Sequence, residues 1–249
     1  MDERFLNEAV AAARAAGKVQ RDALGGPLDV DAALDHDIKL RLDRDCQDLI
    51  TEHLLKAFPD HTVFGEEGGS PLGASEYQWI VDPIDGTVNF FYGFPHFCVA
   101  IALQHKGETI LGVTLDPNRD ELFTAWRGQG AFCNGRRLSV SSRTQLKEAM
   151  VSTGFSKSNE TLEQSIELTK YYGLNARKLR MNGSAALDLA YVASGRLDIY
   201  LERTINLWDV AGGVLFIQEA GGHVDLSPLP NGKGYSLIAS NGKVPVRAW

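Results

Sequence analysis

The segment Trp79-Ile80-Val81-Asp82-Pro83-Ile84-Asp85-Gly86-Thr87 ends an apolar run with two carboxylates that flank a proline. Pro83 fixes its own φ and offers no N–H, so the turn around it is rigid enough to aim Asp82 and Asp85 at one point. Two anions held that close repel each other unless a cation lies between them. Further acids stand where other apolar runs give way: Glu66 and Glu67 follow Thr62-Val63-Phe64-Gly65, Asp209 follows Trp208, and Asp43 follows the alternating Ile38-Lys39-Leu40-Arg41-Leu42. Strand ends and helix starts are where catalytic groups collect in α/β folds. Each acid alone has an ordinary explanation, Asp209 as an N-cap, Glu66 as a solvated turn residue, Asp85 as a type I turn residue. Together they form an oxygen-only donor set of the kind Mg²⁺ prefers, and the absence of His and Cys from these segments disfavours zinc. Gly86 allows close backbone approach, and Thr87 stands where a helix or turn N-terminus offers N–H groups to a phosphate. Asn182-Gly183-Ser184-Ala185, a second small-residue turn opening a helix, is a second candidate anion site.

Competing chemistry is poorly represented. Gly128-Gln129-Gly130 lacks the third glycine and the following helix of a dinucleotide site, and neither a GxxxxGK[ST] loop nor a GxSxG elbow occurs. Asp29, Asp31, Asp35 and Asp37 lack the EF-hand spacing and are expected to be a solvated acidic loop. His96, between Pro95 and Phe97, is expected to be a packed side chain rather than a general base.

Composition sets the frame for that site. The 249 residues carry 32 acidic and 25 basic side chains, a net charge of −7, so the chain repels nucleic-acid phosphates and no nucleic-acid partner is expected. An acidic chain that handles a phosphate ester needs a cation between them. Cys46, Cys98 and Cys133 stand far apart without metal spacing, which fits buried thiols in a reducing compartment. The N-terminus opens on acids without a signal-like apolar run, and no run reaches the roughly 18 residues of a membrane span, so a cytoplasmic location is expected.

The elements that must position these residues can be read from periodicity. Phe5, Leu6, Ala9, Val10, Ala13 and Ala16 predict a first helix that ends before Gly17. Residues 29–45 read as a loop, followed by a helix on Cys46, Leu49, Ile50, His53, Leu54 and Phe58 that Pro59 closes. Short strands are expected over residues 62–64 and 79–81, and turn signals across residues 97–140 predict an antiparallel meander. The second half alternates strand 150–152, helix 159–172, strand 178–181, helix 184–193, strand 197–202 and helix 210–220. No linker or repeat intervenes, so residues 1–145 and 146–249 are expected to be an α+β and an α/β subdomain of one compact unit.

At these residues the sequence resembles the inositol monophosphatase family, magnesium-dependent, lithium-sensitive phosphatases that include fructose bisphosphatases and 3'-phosphoadenosine 5'-phosphate phosphatases. The match runs through Gly65-Glu66-Glu67, the segment from Trp79 extended by Val88-Asn89-Phe90, Gly183-Ser184-Ala185-Ala186, and Trp208-Asp209-Val210-Ala211-Gly212 with Glu219-Ala220-Gly221-Gly222. The resemblance implies a layered αβαβα sandwich, a homodimer, and hydrolysis of a small phosphorylated polyol or sugar. Glu66, Asp82 and the Ile84 carbonyl would bind a first Mg²⁺, and Asp82, Asp85 and Asp209 a second, with Thr87 and Asp43 helping to activate the attacking water. Gly86 and Thr87 would hold phosphate oxygens, while Gly183, Ser184, Ala185 and Glu202, with Asp85 and Asp209, would meet the rest of the substrate. myo-Inositol 1-phosphate is the first candidate, against fructose 1,6-bisphosphate, histidinol phosphate or 3'-phosphoadenosine 5'-phosphate. A second phosphate would call on Arg177, Lys178, Arg180 or Arg203. A regulatory partner of transcription machinery that retains the fold is the non-enzyme alternative. Lys39-Leu40 stand where many relatives carry Val-Thr, a departure that bears on any mobile loop and third metal site.

Overall fold

In the computed structural model, which describes residues 2–34, 37–155, 159–230, 232 and 234–249, the chain begins with helix α1 (Arg4–Ala23). The hairpin β1 (Val30–Leu34) and β2 (Asp37–Leu40) follows, then α2 (Arg41–Ala57). Strands β3 (Thr62–Gly65), β4 (Gly68–Gly69) and β5 (Tyr77–Asp85) precede the short α3 (Thr87–Phe91). The expected meander is β6 (Cys98–His105), β7 (Glu108–Asp116), β8 (Glu121–Trp126), β9 (Gly130–Cys133) and β10 (Arg136–Arg137). These strands make an eight-stranded sheet in the order β10-β9-β8-β7-β6-β5-β3-β4. The second half runs β11 (Met150–Thr153), α4 (Asn159–Asn175), β12 (Lys178–Arg180), α5 (Ala185–Ala193), β13 (Ile199–Ile205), α6 (Leu207–Glu219), β14 (His223–Pro228) and β15 (Tyr235–Ser240). Its sheet has the order β12-β11-β13-β15-β14, parallel over the first three strands and antiparallel beyond.

The layers follow from which face of each strand is apolar. Trp79 and Val81 of β5 and Val99, Ile101 and Leu103 of β6 pack with the buried alanines of α1 and with Cys46, Ile50 and Leu54 of α2. The alternate residues Ile80 and Ala102 pack against Ala211 of α6 on the opposite face, as the period of two along a strand requires. Helices α5 and α6 lie between the two sheets and share their core with both. Helix α4 covers the outer face of the second sheet through Leu168 and Tyr172. The result is the layered α+β sandwich, helices and sheets alternating in five layers.

Three elements differ from the sequence reading. The strand expected over residues 79–81 runs from Tyr77 to Asp85, so Asp82, Pro83 and Asp85 lie in a bulged strand and not in a turn beyond it. The stretch read as a loop over residues 29–45 is a hairpin and the first turn of α2, because Val30, Ala33 and Leu34 pair with Leu40, Ile38 and Asp37 and the buried Leu40 ties the hairpin to the core. Asp35, and the side chain of Asp37, lie outside the described residues. Helix α1 runs through Gly17 instead of stopping there: Gly17 faces β7, where a Cβ would come within 2.8 Å of Leu115 Cδ2. That glycine is a contact for the sheet, not a stop signal. Cys46 and Cys98 are buried as expected, Cys133 is half-buried, and all three thiols are free.

Candidate active site

The acids converge because of a fault in β5. Asp82 pairs with Ala100 and Asp85 with Cys98, so β5 carries one more residue than β6 across this interval. In a regular strand residues three apart face opposite sides; the extra residue rephases the chain and turns both carboxylates to the same side. Pro83 sits within the bulge, where its missing N–H costs no ladder hydrogen bond. The buried side chain of Gln20, from α1, donates to the Pro83 carbonyl at 2.7 Å and fixes the bulge from behind. Strand β3 runs parallel to β5, pairing Gly65 with Val81, and the Glu66 N–H donates to the Val81 carbonyl at 3.1 Å. Glu66 therefore comes alongside Asp82. The following turn is held by Gln47 of α2, which accepts from the Glu67 N–H at 2.9 Å and donates to the Gly68 carbonyl at 3.1 Å.

Asp209 reaches the same place from the other side. It occupies the first turn of α6 and accepts the N–H of Asn206, the N-cap residue, at 2.8 Å. Asp43 does the equivalent for α2, accepting the Leu40 N–H at 2.9 Å with Oδ2. Its Oδ1 accepts from Thr87 Oγ1 at 3.0 Å, and the same hydroxyl lies 2.9 Å from the Ile84 carbonyl oxygen. Gly86, which precedes Thr87, has φ +98°, and a Cβ there would stand 3.0 Å from the His96 carbonyl oxygen, so this turn requires glycine.

Glu66, Asp82, Ile84, Asp85, Gly86, Thr87 and Asp209 line one cavity of about 360 Å³, and Gly183, Ser184, Ala185 and Glu202 line its other side. Asp43 is buried behind Thr87. The cavity thus brings together every sequence-predicted site residue except Asp43, which reaches it through Thr87. The four cationic candidates for a second phosphate do not line it: Lys178 and Arg180 project from the edge strand β12, Arg177 is exposed beside them, and Arg203 stacks over Trp249 at 5.5 Å. His96 is buried, as expected of a packed side chain, with Nε2 unpartnered.

The electrostatics are those of crowded buried anions. Burial, then Glu66, Asp85 and Asp209, hold Asp82 well above the usual carboxylate range. Asp209 is raised by burial and by Asp85. Asp85 is raised by burial, against the pull of its hydrogen bonds to α5. Among the described residues no group of three or more His, Cys, Asp or Glu side chains is placed so that it could hold a metal ion as it stands. The donor chemistry nevertheless suits a hard cation, since the carboxylates of Glu66, Asp82, Asp85 and Asp209 and the Ile84 carbonyl line one cavity and the acids around Asp82 raise its pKa further.

The second anion site expected at the start of α5 has an occupant from the chain itself. Ser184 Oγ donates to Asp85 Oδ2 at 2.5 Å, and the N–H groups of Ala185 and Ala186 donate to Asp85 at 3.2 and 2.8 Å. An N-terminal helix turn favours an anion, and here the anion is Asp85. The sequence reading also passed over Asp188, Tyr200 and Asn89, which line the cavity. Asp188 reads as an ordinary polar position of α5, and Tyr200 as a strand aromatic; only the fold reveals that they adjoin the cluster.

The layered α+β sandwich is shared with solved inositol monophosphatases, such as that of Anabaena at a TM-score of 0.84 and 36% identity, covering 97% of this chain and 92% of that one, which places the protein among the phosphoric monoester hydrolases. The family model described as the inositol monophosphatase family matches residues 1–243, and the chain belongs to that family. It is 41% identical over 255 residues to "Nus factor SuhB" of Xylella fastidiosa, covering 98% of this chain and 92% of the relative. It is 41% identical over 227 residues to "Inositol monophosphatase 1" of Solanum lycopersicum, covering 88% of this chain and 83% of the relative. The crystal structure of "extragenic suppressor protein suhB" from Bartonella henselae superposes with a TM-score of 0.89 at 36% identity, covering 96% of this chain and 94% of that one.

Proposed function

We propose that the protein is a Mg²⁺-dependent phosphomonoesterase of small polyol phosphates, with myo-inositol 1-phosphate the first candidate substrate. The observation that carries this reading is the convergence of Glu66, Asp82, Asp85 and Asp209 on one cavity, where burial and then the neighbouring carboxylates raise Asp82 and Asp209 above the usual carboxylate range. Glu66, Asp82 and the Ile84 carbonyl would hold one ion, and Asp82, Asp85 and Asp209 a second. When bound, Mg²⁺ lowers the pKa of water and offsets negative charge on phosphoryl and leaving-group oxygens. The protein supplies the rest. Thr87 Oγ1 passes its proton to Asp43 Oδ1 and accepts one from the attacking water, and the carboxylate is suited to that task because burial pushes it up to about 6. Gly86 and Thr87 would offer backbone N–H groups to phosphate oxygens. Glu202, which accepts a hydrogen bond from the Tyr200 hydroxyl, would meet polyol hydroxyls at the far end with Gly183, Ser184 and Ala185. A monophosphate is favoured over a bisphosphate because Arg177, Lys178, Arg180 and Arg203 lie off the cavity wall.

The test is phosphate release from a panel of inositol, sugar, amino-alcohol and nucleotide phosphates, with Mg²⁺ and with a chelator. Asp82→Asn should abolish release by this protein while its thermal transition stays cooperative, and near-normal turnover in that variant would refute the reading. The name carried by the Xylella relative supports a second role, as a binding partner of transcription machinery. A folded protein that binds Mg²⁺ but hydrolyses no ester in the panel would favour that role. The family resemblance adds a homodimer in the cytoplasm, which sedimentation and cell fractionation test. Among the described residues no helix is long and apolar enough to cross a membrane.

A further inference from the structure

Asp188 is a buried carboxylate on the cavity wall to which the phosphatase reading assigns no part. It lies one turn into α5 and is 1% exposed. Its Oδ2 accepts from Ser152 Oγ of β11 at 2.6 Å, and its Oδ1 accepts from Asn182 Nδ2 at 2.6 Å. The Asn182 carbonyl in turn accepts from Asn89 Nδ2 at 2.8 Å, and that amide also donates to the His96 carbonyl at 2.7 Å. Asn89 belongs to α3, two residues beyond Thr87. Hydrogen bonds therefore run without a break from the five-stranded sheet, through α5 and the turn before it, to the loop that follows the Asp82–Asp85 bulge. Gly183 lets the two sides approach: its φ is +79°, and a Cβ there would stand 3.0 Å from Asn89 Nδ2.

This chain is attached to the element that grips Asp85. The Asp188 N–H donates to the Ser184 carbonyl at 3.1 Å, so side chain and backbone of Asp188 bracket the turn whose Ser184, Ala185 and Ala186 donors meet Asp85. A slide or rotation of that turn would move three donors off one carboxylate at once. Asp188 is fixed on both oxygens by partners from two other elements, which prevents such movement.

We infer that Asp188 is a positioning residue of the hydrolytic reaction: anchored to Ser152 and Asn182, it keeps the start of α5 on Asp85 and keeps α3 against it, so that Asp85 holds one orientation on the cavity wall. The inference rests on the Mg²⁺-phosphatase reading. Partners of metal-holding side chains commonly contribute 10- to 100-fold to metal affinity or activity.

The experiment is calorimetric titration of the full chain with Mg²⁺, beside steady-state kinetics on myo-inositol 1-phosphate and thermal melts. Asp188→Leu should weaken Mg²⁺ binding about tenfold and lower kcat by roughly 10- to 100-fold. Asp188→Asn, which keeps an acceptor for Asn182 and offers an N–H to the Ser152 hydroxyl, should restore both to within about threefold of wild type. Ser152→Ala, a milder change, should give an intermediate loss and serves should Asp188→Leu not fold. Asp198→Asn is the control: that carboxylate is equally buried and accepts from Ser141, Arg143 and the Met150 N–H, but lies off the cavity. It should lower Tm and leave Mg²⁺ affinity unchanged. Wild-type Mg²⁺ affinity in folded Asp188→Leu or Ser152→Ala, or an equal loss in Asp198→Asn, overturns the inference alone. A wild-type protein that binds no Mg²⁺ overturns the phosphatase reading beneath it as well.

Discussion

Thr87 has one hydroxyl proton and two acceptors within reach, Asp43 Oδ1 at 3.0 Å and the Ile84 carbonyl at 2.9 Å. With the Ile84 carbonyl holding a cation, Thr87 Oγ1 would keep Asp43 Oδ1 as its better acceptor, and the Thr87–Asp43 pair would be aligned. Asp43 is raised to about 6 chiefly by burial, with its hydrogen bonds from Leu40 and Thr87 opposing. The protonated acid cannot serve as the acceptor, so activity should fall as pH drops through the region near 6. Raising Mg²⁺ should move that acid limb to lower pH, because a nearby cation favours the carboxylate. Thr87→Ala and Asp43→Asn should each lose about 10²- to 10⁴-fold in kcat, and should lose little more when combined, since they act as one unit. A pH–rate profile unmoved by Mg²⁺, or additive losses, would exclude the coupling. At this scale the sequence was informative: Asp43 and Thr87 were legible as candidates, whereas the competition at Ile84 depends on how the turn closes.

The elements explain why acids from distant stretches share one wall. Helix α6 can bring Asp209 to the bulge in β5 only by lying very close to the sheet, and two glycines permit this. A Cβ on Gly112 of β7 would stand 2.9 Å from Gly212 Cα and 3.0 Å from its carbonyl oxygen, and neither backbone atom can yield easily. Gly112→Val should therefore cost about 1–3 kcal/mol in urea melts and should also weaken Mg²⁺ binding as α6 is pushed outward. Unchanged Mg²⁺ affinity in a destabilised Gly112→Val would show that the start of α6 is held by other contacts. Glycine in a strand announces close approach without naming the partner, so Gly112 was unreadable alone. The hairpin over β1 and β2 escaped the sequence reading for a related reason: its acids mask a short apolar alternation whose pairing partner is the neighbouring strand. There Lys39 joins Glu67 at 2.9 Å, so the departure noted at Lys39-Leu40 places a cation of the chain itself beside the acid-bearing turn.

Across the whole molecule, the cavity lies where the two sheets meet through α5 and α6, and its buried like charges oppose folding until something offsets them. Mg²⁺ should therefore raise Tm: at about 100 times Kd, mass action contributes about 2.7 kcal/mol, or roughly 5–10 °C for a chain of this size. Excess chelator should reverse the shift, and a Tm insensitive to Mg²⁺ would show that the carboxylates hold no ion. Local order in the chain already determined the family, the meander, most helices and the identity of the acids, because rigid turns, apolar periodicity and short motifs are encoded by neighbours. Tertiary structure alone decided that one extra residue in β5 turns Asp82 and Asp85 to the same side. It also decided that the start of α5 grips Asp85 and that Asp188 anchors that grip. These depend on register and on contacts about a hundred residues apart, such as Ser184 with Asp85, which no local pattern records.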